Sequence, residues 1–214
     1  VSVGKKSKII FDFDGVLRKI CFDSVYEAYL AIAEYIGRDP RDFWKDFDDF
    51  HKWMDYADWP RNLERIGVPR ESDHSKIRMI FHDICDPSFK MYPWADEIFE
   101  DLVKRHELHI LSSSFSKSIH GSLNGSAKFF SQILGCDHVS KMKPDPEGIN
   151  LIMERAGAEA SDVIMVGDTH VDIQAGKSAG VYTALVTWGV PVKRGFLNPK
   201  PDFILDDYND LKLL

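Results

Sequence analysis

The sequence predicts an α/β fold: a doubly wound parallel sheet interrupted after its first strand by an inserted α-helical segment. Three observations carry this. An apolar run, Lys8 to Phe13, ends abruptly at Asp14-Gly15, as a buried strand does. From about residue 20 to residue 90 the pattern becomes aromatic, acidic and helical in period, without a convincing strand. From about Pro93 onward, short apolar runs alternate with helical stretches, which implies parallel strands with helices on both faces.

The elements follow in order. Ser24-Val25-Tyr26-Glu27 has the form of a capping box, with Val25, Ala28, Tyr29, Ile32 and Ile36 on one helical face and Gly37 as a stop. Asp39-Pro40 predicts a second helix start, aspartate as cap and proline in the first turn, with Phe43, Phe47, Phe50 and Met54 as its stripe. A third helix is expected from Ser75 to Ile84, ended by Asp86-Pro87. A helix from Trp94 to His106 then leads to a strand from Glu107 to Leu111, and a Gly/Ser-rich loop is expected around Gly121 to Ser126. Beyond it come a helix from about Pro146 to Ala156, a strand from Val163 to Val166, a helix from Val171 to Ala179, and strands at Val181 to Val186 and Phe203 to Leu205. The expected division is a core of residues 1–18 and 91–214 with a helical insertion at 19–90.

Composition narrows the function. With 44% hydrophobic and 29% charged residues, the 214-residue chain has the make-up of a soluble globular protein. A net charge of −7 argues against a nucleic-acid binder, which needs a basic face. No apolar run approaches the roughly 18 to 20 residues of a membrane span, and the first residues lack a signal-like apolar stretch. Cys21, Cys85 and Cys136 lie far apart without C-x-x-C or zinc spacing, so they read as free thiols in a reducing, cytoplasmic setting. Oligomeric state has no signature in the sequence.

In such a sheet, ligands bind beyond the carboxyl ends of the strands. The first strand ends in Asp12-Phe13-Asp14-Gly15, the second in Ser112-Ser113-Ser114 and the third in Gly167-Asp168-Thr169-His170-Val171-Asp172. Lys143 precedes a proline-stiffened helix start between the second and third, with Lys141 as its rival. Side chains at i and i+2 of an extended segment point the same way, so Asp12 and Asp14 are expected to face one site together. Close carboxylates repel, and an oxygen-only donor cluster favours a hard cation such as Mg²⁺. A magnesium ion beside a lysine, hydroxyls and backbone N–H groups makes a phosphate receptacle, and a carboxylate left free to attack suits phosphoryl transfer through an aspartyl-phosphate.

These four segments, in this order, resemble the motifs of the haloacid dehalogenase-like hydrolases, most of which are phosphatases. FDFDGVL matches the first motif, LHILSSSF the second, KMKPDPEG the third and VIMVGDTHVDIQAGKSAGV the fourth. The insertion after the first motif is similar to the cap of phosphoglycolate phosphatase-like and β-phosphoglucomutase-like members, on a Rossmann-like core. The resemblance implies Asp12 as nucleophile and Asp14 as the acid and base that serves the leaving alcohol and then water. It implies Mg²⁺ held by Asp12, the backbone carbonyl of Asp14 and Asp168, with Asp172 behind them orienting water or Lys143. Lys143 would neutralise charge, while Ser112 and the backbone N–H groups of Phe13 and Ser113 would hold the phosphoryl oxygens.

Dehalogenases of the superfamily lack the second aspartate, so the presence of Asp14 favours phosphate chemistry on a small phosphorylated metabolite. The chain departs from the pattern at Pro93-Trp94, where Pro-Gly is common, and at Ser113, where Asn is usual. A phosphomutase would share every core residue, and a non-catalytic metabolite-binding relative stands as the alternative outside enzymology. Arg18 and Lys19, just past the first motif, are placed to meet an anionic part of the substrate, or are surface charges of a linker. The insertion's aromatic stripe reads as packing, His170 as a bystander, and Cys21 carries no activating neighbour in sequence.

Overall fold

Lys-Ile-Ile-Phe forms β1 (Lys8–Phe11), and in the computed structural model it lies within a six-stranded sheet. The structure describes residues 7–56, 58–70, 72–190 and 198–214. The other strands of this sheet are β4 (Glu107–Leu111), β5 (Phe130–Leu134), β6 (Val163–Gly167), β7 (Tyr182–Val186) and β8 (Phe203–Leu205). Their order is β5-β4-β1-β6-β7-β8 with every pairing parallel. Two-residue strands β2 (Arg18–Lys19) and β3 (Lys90–Met91) form a separate ribbon.

Alternation along β1 shows why the sheet needs helices on both faces. Ile9 and Phe11 join one apolar cluster, which includes Ile98, Phe99 and Leu102 of α5 (Ala95–Leu102). Ile10 joins the other, with Ile149 and Ile152 of α7 (Glu147–Ala156) and Ala175 of α8 (His170–Ala179). The same two-residue switch runs through β6, where Ile164 and Val166 face the first cluster, and Val163 and Met165 the second. Chain order reverses around β1: the sequence builds outward to β4 and β5 on one side and to β6, β7 and β8 on the other. The crevice beyond the ends of β1, β4 and β6 is therefore the topological switch point of the sheet.

Polar residues also sit in this interior, His109 and Thr183 among them. His109 of β4 is fully buried, and neither ring nitrogen has a hydrogen-bond partner among the described residues. Burial is the main cause that pushes its pKa down to about 4; Glu107 opposes this and Lys8 adds to it. The unfolded chain takes up the proton near the ordinary value of 6.5, the folded chain only near 4. This residue's contribution to stability is thus complete above pH 6.5 and is lost as pH falls from there towards 4, about 2 kcal/mol by pH 5 and about 3 kcal/mol in full. His109→Leu, which removes the titration and the unpaired nitrogens, is expected to leave stability at pH 7.5 unchanged or higher and to flatten the acid-side decline. Urea midpoints from pH 7.5 to 4.5 would show it; parallel curves for the two proteins would refute the assignment.

The chain divides into two units, Val1–Lys19 with Met91–Leu214, and Ile20–Lys90. The second is helical: α1 (Phe22–Tyr35), α2 (Phe47–Trp53), α3 (Trp59–Arg65) and α4 (Ser75–Cys85). Its core gathers Tyr29, Ile32, Trp44, Phe50, Leu63 and Ile77, and the Tyr29 ring meets those of Trp44, Phe50, Trp53 and Phe81. The aromatic stripe is packing, as its spacing predicts.

Several local expectations change. α1 starts at Phe22, before the expected box, and the Ser24 hydroxyl donates to the Cys21 carbonyl (2.9 Å), spent inside the first turn and not on a cap. Asp39 caps only a single 3₁₀ turn, Pro40–Asp42; the chain restarts as α2 behind a second aspartate cap, Asp46, which accepts from the Asp49 N–H (2.9 Å). The unexpected α3 carries its own start signal, Asp58 with Pro60 in the first turn. The Gly/Ser-rich stretch is not a loop. It holds α6 (Ser116–Leu123) and a 3₁₀ segment before the unforeseen strand β5.

Candidate active site

Strand β1 stops at Phe11, so Asp12 to Arg18 form a tight turn and not an extended run. The Phe13 carbonyl accepts from the N–H groups of Leu17 and Arg18 (both 2.9 Å), and the Gly15 N–H donates to the Arg18 carbonyl (2.7 Å). On this turn Asp12 and Asp14 take different hydrogen-bond partners, while the Asp14 charge still bears on Asp12. Asp12 is buried and faces Lys143, whose Nζ lies 2.8 Å from its Oδ1. The Phe13 N–H also donates to that oxygen (2.7 Å). Asp14 has partners of its own: its Oδ1 accepts from Arg18 Nε (2.6 Å) and its Oδ2 from the Ser114 hydroxyl (2.6 Å).

Lys143 is set by the loop that precedes α7. The Glu147 carboxylate accepts from the N–H groups of Ser140 and Lys141 (2.6 and 2.9 Å), folding that segment back on the helix start. Lys143 Nζ also lies 2.6 Å from Asp172 Oδ1, whereas Lys141 is exposed and lies 3.8 Å from Asp145. Asp172 serves α8 as well. As the first-turn acid it closes the start of α8 with the cap residue Thr169, accepting from the Thr169 N–H (3.0 Å) and hydroxyl (2.6 Å).

Asp168, at the end of β6, is buried and accepts from the Val190 N–H (2.9 Å). Asp12, Asp168 and Asp172 each offer a carboxylate oxygen within 4.8 Å of the others. Burial raises the Asp12 carboxyl to about 7; Lys143 opposes the rise, while Asp172 and Asp14 add to it. Asp168 is raised well above the ordinary range by burial and then by its two acidic neighbours. Burial would lower Lys143, but Asp12 and Asp172 outweigh it and hold the ammonium charged. Three buried carboxylates against one ammonium leave the group short of positive charge, and its all-oxygen chemistry suits a hard divalent cation.

Glycines close the walls. At Gly15 the backbone takes φ +85°, and a Cβ there would stand 1.9 Å from Asp168 Oδ2; at Gly189 it would stand 2.3 Å from the same oxygen. Gly15→Ala is expected to cost about 2 kcal/mol from the backbone conformation alone. It should also weaken any cation-induced rise in melting temperature by displacing Asp168. A variant that melts and responds to cation as the parent does would contradict this.

Ser112 is buried at the end of β4, where its hydroxyl accepts from the Ser114 N–H (3.0 Å); Ser113 is exposed. Ser114, which the sequence reading did not single out, is the serine that reaches Asp14. Nothing in a run of three serines tells which hydroxyl turns inward. Arg18 is neither the exposed linker charge nor the substrate-facing charge that its position suggests. It is 1% exposed and bound inward to Asp14, because its guanidinium finds acceptors inside the fold. Lys19 is exposed. His170 is not in the carboxylate group.

A family model for haloacid dehalogenase-like hydrolases matches residues 9–186. The chain belongs to this family. Among relatives of this haloacid dehalogenase-like chain, the pyrophosphatase PpaX of Oceanobacillus iheyensis is 35% identical over 123 residues, covering 56% of this chain and 58% of that protein. The pyrophosphatase PpaX of Bacillus velezensis is 32% identical over 140 residues, covering 64% and 65%. The chain thus spans less than two thirds of the length of these relatives. A solved haloacid dehalogenase-like family protein from Streptococcus pneumoniae shares the fold, with a TM-score of 0.75, 18% identity and 96% of each chain covered. No helix among the described residues is long and apolar enough to cross a membrane.

Proposed function

We propose that the chain is a Mg²⁺-dependent phosphatase that hydrolyses a small phosphomonoester through an aspartyl-phosphate on Asp12. The observation that carries this is the charge arrangement at the switch point: Lys143 spans Asp12 and Asp172 at 2.8 and 2.6 Å, with Asp168 beside them. The helical unit is read as the family's substrate-selecting cap.

In the first half-reaction Asp12 attacks phosphorus. Both the Phe13 N–H and Lys143 hold its Oδ1, so the attack is assigned to Oδ2. The Asp12 oxygen–phosphorus bond forms as the bond to the leaving oxygen breaks, and Asp14 gives that oxygen a proton. In the second half Asp14 takes a proton from water, the water oxygen joins phosphorus, and phosphate departs to restore the Asp12 carboxylate. Lys143 offsets charge on the phosphoryl oxygens, with the Ser112 hydroxyl and the Ser113 N–H around them, while the Phe13 N–H stays on Asp12 Oδ1. Asp12, Asp168 and the Asp14 carbonyl would hold Mg²⁺, with Asp172 keeping Lys143 in place. Bound there, the cation would offset the carboxylates and the negative charge of the phosphoryl group.

The relatives named as pyrophosphatases favour pyrophosphate as a second substrate class for the same site. The test is phosphate release from p-nitrophenyl phosphate, phosphoglycolate, sugar phosphates and pyrophosphate, with Mg²⁺ and then with EDTA. Release that EDTA abolishes is expected. Turnover of none of them would leave the binding-protein alternative, and isomer interconversion with little free phosphate would mark a mutase.

A further inference from the structure

We propose that Arg18 is a positioning residue that fixes the direction of the Asp14 carboxyl group, so that Oδ2 is the oxygen that exchanges the proton. This rests on the phosphatase reading above. Arg18 is 1% exposed, a burial that a guanidinium tolerates only when its donors are matched. Three of its bonds are to side chains of this part of the fold. Nε donates to Asp14 Oδ1 (2.6 Å), and Nη1 donates to the hydroxyls of Ser122 (2.9 Å) and Ser118 (3.2 Å). The two serines stand one turn apart on α6 and so share a helix face. The guanidinium carbon also lies 4.9 Å from the centroid of the Phe13 ring.

The turn from Phe13 to Arg18 is closed by its own backbone bonds, so Asp14 and Arg18 are carried on one rigid piece. A loop tether to α6 would need only the serine contacts. Arg18 in addition donates to Oδ1 of Asp14, and Ser114 donates to Oδ2. The two partners differ in chemistry: an arginine N–H can only donate, whereas a serine hydroxyl can donate or accept. A proton carried by Asp14 therefore sits on Oδ2, where Ser114 can turn to accept it, and not on Oδ1. As the Asp12–phosphorus bond forms and the phosphorus–leaving-oxygen bond breaks, that proton passes from Oδ2 to the leaving oxygen. Water returns one in the second half. Without Arg18 the carboxyl group rotates, and the geometric advantage of a fixed donor is lost.

The test exploits leaving groups. p-Nitrophenolate departs without a proton, while an alkoxide needs one. kcat and KM would be measured for the parent, Arg18→Met and the Ser118→Ala/Ser122→Ala double variant, on p-nitrophenyl phosphate, phenyl phosphate, phosphoglycolate and glycerol 3-phosphate. For Arg18→Met, kcat is expected to fall about 30-fold or more on the ester with the poorest leaving group that the parent hydrolyses, and far less on p-nitrophenyl phosphate, with KM changed by less than about threefold. The double variant, which keeps Arg18 and tests the idea even if Arg18→Met fails to fold, should show the same split at smaller size. Equal losses on all esters, or a change in KM alone, would overturn the positioning role while leaving the phosphatase reading intact. A parent that releases phosphate from none of the esters would overturn both.

Discussion

Asp12→Asn is expected to abolish phosphate release, by roughly 10⁴-fold or more, while leaving the protein as stable as its parent or more so. The two effects have separate causes. An amide cannot form the acyl-phosphate bond, so the loss falls on the chemical step. The same change removes one of three buried carboxylates from a group that a single ammonium serves. Burial already pushes Asp12 up to about 7, which marks its charge as unfavourable in the folded chain without a cation. The amide oxygen can still accept from the Phe13 N–H. Turnover and thermal melting, each with Mg²⁺ and with EDTA, would show the pair of results. Residual activity above about 1% of the parent would sink the nucleophile assignment, since removal of a nucleophile normally leaves far less. A large fall in melting temperature would instead mark Asp12 as structural.

Lys143→Met should do the opposite to stability. The Lys143 side chain is 4% exposed and holds two buried carboxylates at 2.8 and 2.6 Å. Removing one member of a buried ionic group strands the others, at about 3–5 kcal/mol. Catalysis should fall as well, by at least about 10²-fold, because charge on the phosphoryl oxygens loses its fixed partner. Stability and activity can be separated by a second substitution. Lys143→Met/Asp172→Asn removes one of the stranded charges, so it should regain part of the lost stability and none of the lost turnover. Urea denaturation beside single-turnover kinetics would settle it. If the double variant recovered activity together with stability, Lys143 would act only as a strut.

The site's legibility varied residue by residue. Glu107–Leu111 and Phe203–Leu205 are strands with the bounds that the apolar runs predict; the first is buried along nearly its whole length, and the second, at the sheet edge, is only partly covered. Strand β5 escaped because its sequence, FSQIL, lies at the sheet edge behind a Gly/Ser-rich stretch, with its middle three residues only partly buried or exposed. The Ser24 box failed for another reason. A serine three residues before a glutamate satisfies the pattern equally well inside a helix, where the hydroxyl bonds back to a carbonyl.

By itself the sequence determined the α/β order, the helical insertion and which strand ends carry acids, hydroxyls and the lysine. These depend on local periodicity and on residue type, both written along the chain. Only the tertiary structure decided which of these groups meet. It brought Asp172 into one cluster with Asp12 and Asp168, tied Asp14 to Arg18 and Ser114, and chose Lys143 over Lys141. Those outcomes hang on a turn closed by backbone bonds at Phe13 and on acceptors some hundred residues distant, at Ser118 and Ser122. A side chain's direction after a strand ends is set by such bonds, and no spacing rule reaches across the fold to give it.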